Sequence, residues 1–286
     1  MRWLVTGGQG MLGTDVVAAL RRGPVPETVA APGHAELDVR DPHAVAAAME
    51  EHKPDVVVNC AGWTAVDAAE EHEAEATVVN GAAVESLAAV CAGYGARLVQ
   101  ISTDYVFDGT ARVPYAEDHP VNPVNAYGRG KLAGETAALA YGHLVVRTAW
   151  LYGPRGRNFV RTMIRLAAER DTIAVVDDQT GQPTWTGDLA AQVLRLARTE
   201  APSGVYHGTN GGRTTWHGFA REIFAALGAD PGRVTPVPTA RYPLPARRPA
   251  YSVLGHEGWA RAGLSPMRDW RTAFRDAWPS MLGKVQ

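Results

Sequence analysis

The chain has 286 residues, with 28 Lys and Arg against 30 Asp and Glu, a net charge of -2 and an isoelectric point near 6.5. It therefore presents no basic field for a nucleic-acid polymer or an anionic membrane surface. No uninterrupted apolar run suggests a bilayer span, and Arg2-Trp-Leu-Val-Thr6 carries no signal-peptide pattern, so a cytoplasmic protein with no membrane partner is expected.

Arg2 to Thr6 reads as a buried strand, followed by Gly7-Gly-Gln-Gly-Met-Leu-Gly13 and a helical pattern through Val16, Val17 and Leu20. Strand, glycine turn and helix form the context of a dinucleotide fingerprint. Two registers fit, Gly8/Gly10/Gly13 as G-x-G-x-x-G and Gly7/Gly10/Gly13 as G-x-x-G-x-x-G. Both put Gly10 where the backbone meets a pyrophosphate and Gly13 between helix and strand, with the helix N-terminus facing the phosphates.

A second strand near Thr28-Val-Ala-Ala31 ends at Pro32 and Gly33, without the acidic residue that would hold an adenosine ribose. His34 is a conditional partner for a 2′-phosphate, and Asp38 with Val39 could border the adenine. Residues 43–51 read as a helix and Asp55-Val-Val-Val-Asn59 as a strand buried on both faces. Asn59-Cys-Ala-Gly-Trp-Thr64 follows, small enough at Ala61 and Gly62 for a flat ligand to lie on the backbone. Asp67 to Glu75 reads as an acidic, solvated helical face, Asn80 to Ala92 as a helix, and Arg97-Leu-Val-Gln-Ile101 as a strand. That strand delivers Ser102-Thr-Asp-Tyr-Val-Phe-Asp-Gly109 at its carboxyl end, where open α/β sheets bind ligands. Ser102 and Thr103 can donate to a substrate oxygen and Asp104 can accept from a sugar hydroxyl.

In Pro123-Val-Asn-Ala-Tyr-Gly-Arg-Gly-Lys-Leu-Ala-Gly-Glu135, a helix puts Tyr127 and Lys131 one turn apart on one face. A fixed ammonium beside a phenol favours the phenolate and suits proton transfer to a carbonyl oxygen. Lysine occurs only at Lys53, Lys131 and Lys284 in this Arg-rich chain, which marks position 131.

A further strand runs from His143 to Trp150, an aromatic placed either to stack on a sugar or to plug the core. Thereafter the regular alternation stops. Asn158–Arg170 and Asp188–Arg198 read as helices, Thr172–Val176 and Gly204–His207 as strands, and Asp178-Gln-Thr-Gly-Gln-Pro-Thr184 as a polar turn. Thr215 is a plausible N-cap for a helix from Trp216 to Leu227 closed by Gly228. From Asp230 to Pro249, recurrent prolines indicate loops and short strands packed on the site. Cys60 and Cys91 read as reduced thiols, and neither cysteines nor the nine histidines have metal-ligand spacing.

These stretches, with Arg147-Thr-Ala-Trp-Leu-Tyr-Gly153 and Arg248-Pro-Ala-Tyr-Ser-Val-Leu254, occur in an order that resembles the dTDP-4-dehydrorhamnose reductases, extended short-chain dehydrogenases, over nearly the whole chain. The resemblance implies an α/β fold, a Rossmann-type doubly wound parallel sheet over residues 1–150 with 185–210 returning to it. A smaller C-terminal substrate-binding lobe would comprise 151–184 and 211–286. It implies reduction of the 4-keto group of dTDP-6-deoxy-L-lyxo-4-hexulose to dTDP-L-rhamnose, with NADPH as cofactor and NADH possibly accepted. By the same resemblance Tyr127 is the proton donor, Lys131 holds the nicotinamide ribose and depresses the tyrosine pKa, and Thr103 bonds the substrate carbonyl oxygen. Asp104, Trp150 and Gln179 would contact substrate. Gly7, Gly10, Met11, Leu12 and Gly13 would meet the pyrophosphate, Asp38 and Val39 the adenine side, and Ala61, Gly62, Trp63, Thr64 and Ser102 the middle of the cofactor.

Cys60 and Gly62 stand where the family often has alanine, with little expected consequence. Gly33-His34 replaces a frequent Thr-Arg pair, which leaves the choice between NADPH and NADH open. No residue spacing indicates a metal, and a homodimer is possible but has no sequence signature. Two other readings share the fold: a 4-ketoreductase for another dTDP-deoxysugar, and a non-catalytic subunit like the regulatory subunit of methionine adenosyltransferase. Thr103, Tyr127 and Lys131 together argue against the second.

Overall fold

The computed structural model describes residues 1–23 and 26–283, so Lys284 and the last residues of the expected C-terminal lobe lie outside the described residues. Six strands, β1 (Arg2–Thr6), β2 (Thr28–Ala30), β3 (Val56–Asn59), β4 (Arg97–Thr103), β5 (Leu144–Thr148) and β6 (Gly204–His207), form one sheet in the order β6-β5-β4-β3-β1-β2. Every neighbouring pair is parallel. The direction of winding reverses between β1 and β3, which opens a crevice at the carboxyl ends of these strands.

The longer helices are α1 (Met11–Arg21), α2 (Pro42–His52), α3 (Glu73–Gly93), α4 (Ala126–Ala140), α5 (Phe159–Glu169), α6 (Thr186–Ala197), α7 (Trp216–Ala226) and α8 (Trp270–Leu282). Alternate residues of one strand serve opposite cores. Val56 and Val58 pack with Val16, Leu20, Leu189 and Val193 of α1 and α6, whereas Val57 packs with Met49, Val84 and Leu87 of α2 and α3. This is why β3 reads as a continuous apolar run. A separate core joins α5, α7 and α8 through Val160, Met163, Phe219, Phe224, Trp270 and Phe274.

Several local expectations need correction. The Asp67–Glu75 stretch is not a free solvated face: Glu70 accepts the Ala126 backbone N–H at 2.9 Å, Glu73 pairs with Arg129, and Asp67 holds Arg248. Its acids fasten the start of α4, because Ala126 lies in the first turn, where backbone donors lack intrahelical partners. The helix predicted from Asn80 starts at Glu73 and includes a π-helical turn at Val78–Ala82. At 21 residues it meets the length and hydropathy of a membrane-crossing helix, unlike the sequence expectation, but its Val84, Leu87, Ala88 and Cys91 are buried in the sheet core. The strand expected to reach Trp150 ends at Thr148, since Trp150 turns to φ +46°. Beyond the stretches read above, Trp270 and Phe274 lie on α8, capped by Asp269 and carrying Pro279 within it.

Candidate active site

The glycine turn resolves its two registers. Gly7 adopts φ +64°, and a Cβ there would come within 2.6 Å of the Ala61 nitrogen; a Cβ on Gly13 would meet the Gly7 carbonyl at 2.2 Å. Gly8 carries neither constraint in this degree, the nearest atom to its Cβ being the Ala31 methyl at 3.0 Å. The steric compulsion falls on Gly7 and Gly13, which favours the Gly7/Gly10/Gly13 register; a Cβ on Gly10 would meet only the Gly7 carbonyl oxygen, at 3.2 Å. Gly10 caps α1 without a side-chain bond, leaving first-turn N–H groups of Met11 and Leu12 for an anion. The Met11 side chain turns toward Gly153 and Asn158, while buried Leu12 packs in the sheet core.

The loop after β3 lies on this turn. Ala61 donates its N–H to Asn59 Oδ1 at 3.2 Å, and the Trp63 indole donates to the Ala65 carbonyl. A Cβ on Gly62 would sit 3.8 Å from Lys131 Nζ and 3.0 Å from Asn80 Oδ1. Position 62 thus adjoins the ammonium, and alanine there would be tight rather than inconsequential. Thr64 is exposed at the end of this loop. On the β2 side, Asp38 is chelated by Arg40 at 2.6–3.0 Å, and the guanidinium holds its carboxyl down at about 2; Val39 beside it is buried. His34 is exposed.

Helix α4 starts hard against the end of β4. Asn125 caps it by accepting the Gly128 N–H at 2.7 Å, and a Cβ on Gly128 would meet the Tyr105 carbonyl at 2.2 Å. The Tyr127 ring stands edge-on to Tyr105, with 6.0 Å between centroids, and remains half-exposed. Burial of its hydroxyl pushes the phenol up to about 12, with the Thr103 hydroxyl pulling it back. The phenol thus retains its proton at neutral pH.

One turn on, buried Lys131 donates from Nζ to the Ile101 carbonyl at 2.6 Å. Burial lowers its pKa to about 8, and the Glu135 carboxylate pulls the other way.

Ser102, Thr103 and Asp104 are buried at the carboxyl end of β4. Thr103 Oγ1 donates to Asp104 Oδ1 at 3.1 Å and accepts the Tyr105 N–H at 3.2 Å. Burial raises the Asp104 carboxyl to about 7, with the Ser252 and Thr103 hydroxyls pulling it back. Asp104 is therefore partly protonated near neutrality and can donate as well as accept. Ser102 Oγ, Asp104 Oδ2 and Thr148 Oγ1 are buried without a hydrogen-bond partner among the described residues. Three orphaned polar atoms at the ends of β4 and β5 fit a polar ligand, and the bare α1 N-terminus and ammonium-facing Gly62 fit a dinucleotide.

Trp150 neither stands alone in the cleft nor plugs the sheet core. Its ring stacks on Trp216 at 3.5 Å and 9°, and a Cβ on Gly181 would strike the same ring at 2.5 Å. Gln179 joins the same cluster, donating to Thr239 Oγ1 at 3.0 Å and accepting from the Trp216 indole at 3.2 Å. The 178–184 turn is thus built onto the first turn of α7.

Sequence reading missed Asn80, Gln100, Trp216 and the Glu135–Arg147 pair. Thr6, Asn59 and Gln100 form a buried chain of hydrogen bonds that ends on the Ile101 carbonyl, the acceptor of Lys131. No spacing signals this, because its members come from three strands. Glu135, four residues past Lys131, had a legible signal in the helical period.

Residues 1–282 match the family model described as RmlD substrate binding domain. The chain is 53% identical to the dTDP-4-keto-6-deoxy-D-glucose reductase of Streptomyces niveus, over 97% of this chain and 96% of that one. It is 51% identical to the dTDP-4-dehydrorhamnose reductase of Streptomyces griseus, over 99% and 95% of the respective chains. Its structure is similar to that of dTDP-4-dehydrorhamnose reductase from Bacillus anthracis in complex with NADP, with a TM-score of 0.93, 35% identity, and coverage of 97% and 98%.

Proposed function

The chain belongs to the dTDP-4-dehydrorhamnose reductase family, and on that premise we propose that it reduces the 4-keto group of dTDP-6-deoxy-L-lyxo-4-hexulose to dTDP-L-rhamnose with NADPH. The observation that carries this reading is the convergence of Thr103, Tyr127 and Lys131 at the carboxyl end of β4, beside the glycine turn and Gly62. When bound, NADPH supplies the hydride that reduces the carbonyl carbon.

The chain's own residues manage the proton and the geometry. The protonated Tyr127 hydroxyl gives its proton to the carbonyl oxygen as negative charge develops there. The Thr103 hydroxyl, whose proton rests on Asp104 Oδ1 without substrate, turns to the same oxygen and stabilises that charge. Lys131, anchored on the Ile101 carbonyl, keeps protons free for the ribose hydroxyls and offsets the phenolate left behind. Asp104, titrating near neutrality, positions a sugar hydroxyl. The first turn of α1 receives the pyrophosphate.

In this reading residues 151–184 and 211–283 form the substrate lobe, with the Trp150–Trp216 stack and Gln179 shaping its wall. The cofactor choice is NADPH with NADH tolerated, since no carboxylate stands directly at the end of β2 and Arg40 is occupied by Asp38. A second reading, a 4-ketoreductase for another dTDP-deoxysugar, is favoured by the 53% identity to a protein named for the D-glucose-derived keto sugar. Competition between the two keto sugars, read as a ratio of kcat/KM, separates the readings.

A further inference from the structure

We propose that Arg147 is a positioning residue for Lys131, holding the Glu135 carboxylate away so that the ammonium stays aimed at the ligand side of the site. The proposal deepens the reading of Lys131 as the residue that holds the cofactor ribose, and rests on it.

Lys131 and Glu135 are four residues apart on α4, the spacing at which a lysine and a glutamate ordinarily meet. In low dielectric that attraction would be stronger than at a surface. Yet each turns elsewhere. Arg147, from β5, donates through Nε to both Glu135 oxygens at 2.9 and 3.1 Å and through Nη2 to Oε2 at 2.7 Å. Both side chains are almost wholly buried, at 5% and 1% exposure, so the fork of charge-assisted bonds is shielded from water. Lys131 Nζ instead takes the Ile101 carbonyl at 2.6 Å, next to Gly62.

Arg147 is itself fixed from several sides. Its guanidinium lies 5.0 Å from the Phe107 ring centroid, and Nη1 donates to the Glu117 carbonyl at 3.3 Å. Nη1 also faces His207 Nε2 at 3.5 Å. The other ring nitrogen, Nδ1, must carry the proton, because its partner 2.9 Å away is the Gly255 carbonyl.

The titratable and charged groups around Lys131 and Glu135 are Tyr127 on α4, Cys60 after β3, Arg147 on β5 and His207 on β6. Burial pushes Cys60 up to about 12 and His207 well below its usual range, so both are neutral at physiological pH. The charge behind the ammonium is that of Glu135 and Arg147. With the fork intact, Glu135 still offsets the burial of Lys131 without capturing its protons.

The test is NADPH affinity against pH, measured by fluorescence titration on wild type, Arg147→Met, and the double variant Glu135→Leu/Arg147→Met. In Arg147→Met the released carboxylate captures Lys131, so NADPH binds about tenfold more weakly at pH 7 and its remaining pH-dependent loss moves above the wild-type midpoint. The double variant removes the ion pair without leaving an unpaired buried charge. It should bind within about threefold of wild type at pH 6, but lose affinity at a midpoint about half a unit or more lower.

Wild-type affinities and midpoints in both variants, with only the melting temperature changed, would make the pair merely structural and overturn the proposal. If Arg147→Met fails to fold, Arg147→Gln, which can still donate to Glu135 but leaves its charge uncompensated, takes its place: weakened NADPH binding with a raised midpoint supports the proposal, and wild-type values of both overturn it. The readout is binding, so failure of sugar reduction by wild type would count against the proposed activity and leave this result to stand separately.

Discussion

Asn80 clamps the backbone of Trp63 from both sides: its Oδ1 accepts the Trp63 N–H at 2.9 Å and its Nδ2 donates to the Trp63 carbonyl at 3.0 Å. The amide comes from the π-helical turn of α3 and fixes the loop that the proposed cofactor lies against. Asn80→Leu keeps the volume and removes both bonds. It should weaken NADPH binding roughly tenfold while the protein still folds, because a loop displaced by a fraction of an ångström no longer meets the ligand. Calorimetric titration beside a thermal melt checks this; unchanged affinity would contradict the clamp's role.

Tyr127→Phe removes the transferable proton and little else. Turnover should fall by about 10²–10⁴-fold with NADPH affinity within a few-fold of wild type. Steady-state rates and a binding titration on the same preparation check the pair of outcomes, and near-normal turnover would sink the assignment of the proton donor.

Asp104 makes the pH dependence of stability testable. Its folded pKa, about 7, is above the ordinary 3.8, so the folded state binds this proton more tightly than the unfolded state. The associated cost is absent below the unfolded value, grows as pH rises between the two, and is complete above the folded one. Asp104→Asn should therefore raise the melting temperature more at pH 8 than at pH 4. Calorimetric melts at the two pH values check it; equal shifts would mean that the carboxyl is not held above its ordinary range.

Gly134 lets α3 and α4 cross in direct backbone contact. A Cβ at this position would stand 2.2 Å from the Asn80 carbonyl oxygen. Gly134→Ala should cost roughly 1–3 kcal/mol or more of stability, despite the better helix propensity of alanine. It should also disturb cofactor binding, since the same displacement moves Asn80. A denaturant melt showing stabilisation would refute the close crossing.

The parallel sheet was legible because its strands are short apolar runs separated by helical periods, and Gly204–His207 reads in sequence with the bounds it has in the fold. Thr215 likewise caps its helix as its position suggests, by accepting the Gly218 N–H. Tyr127 and Lys131 were legible because a helix converts a spacing of four into a shared face. The parts that were not legible depend on long-range partners. Nothing near Asp67 in the sequence announces Arg248, and nothing near Trp150 announces Trp216. The two glycine registers differ only in backbone conformation, which Gly7 discloses through its positive φ.

The most direct measurement of the proposed activity is reduction of dTDP-6-deoxy-L-lyxo-4-hexulose with NADPH deuterated at its transferable position, followed by mass and NMR analysis of the sugar. The expected product is dTDP-L-rhamnose carrying deuterium at C4, formed in step with loss of nicotinamide absorbance. Absence of cofactor oxidation, a product of the other configuration at C4, or deuterium missing from that carbon would contradict it.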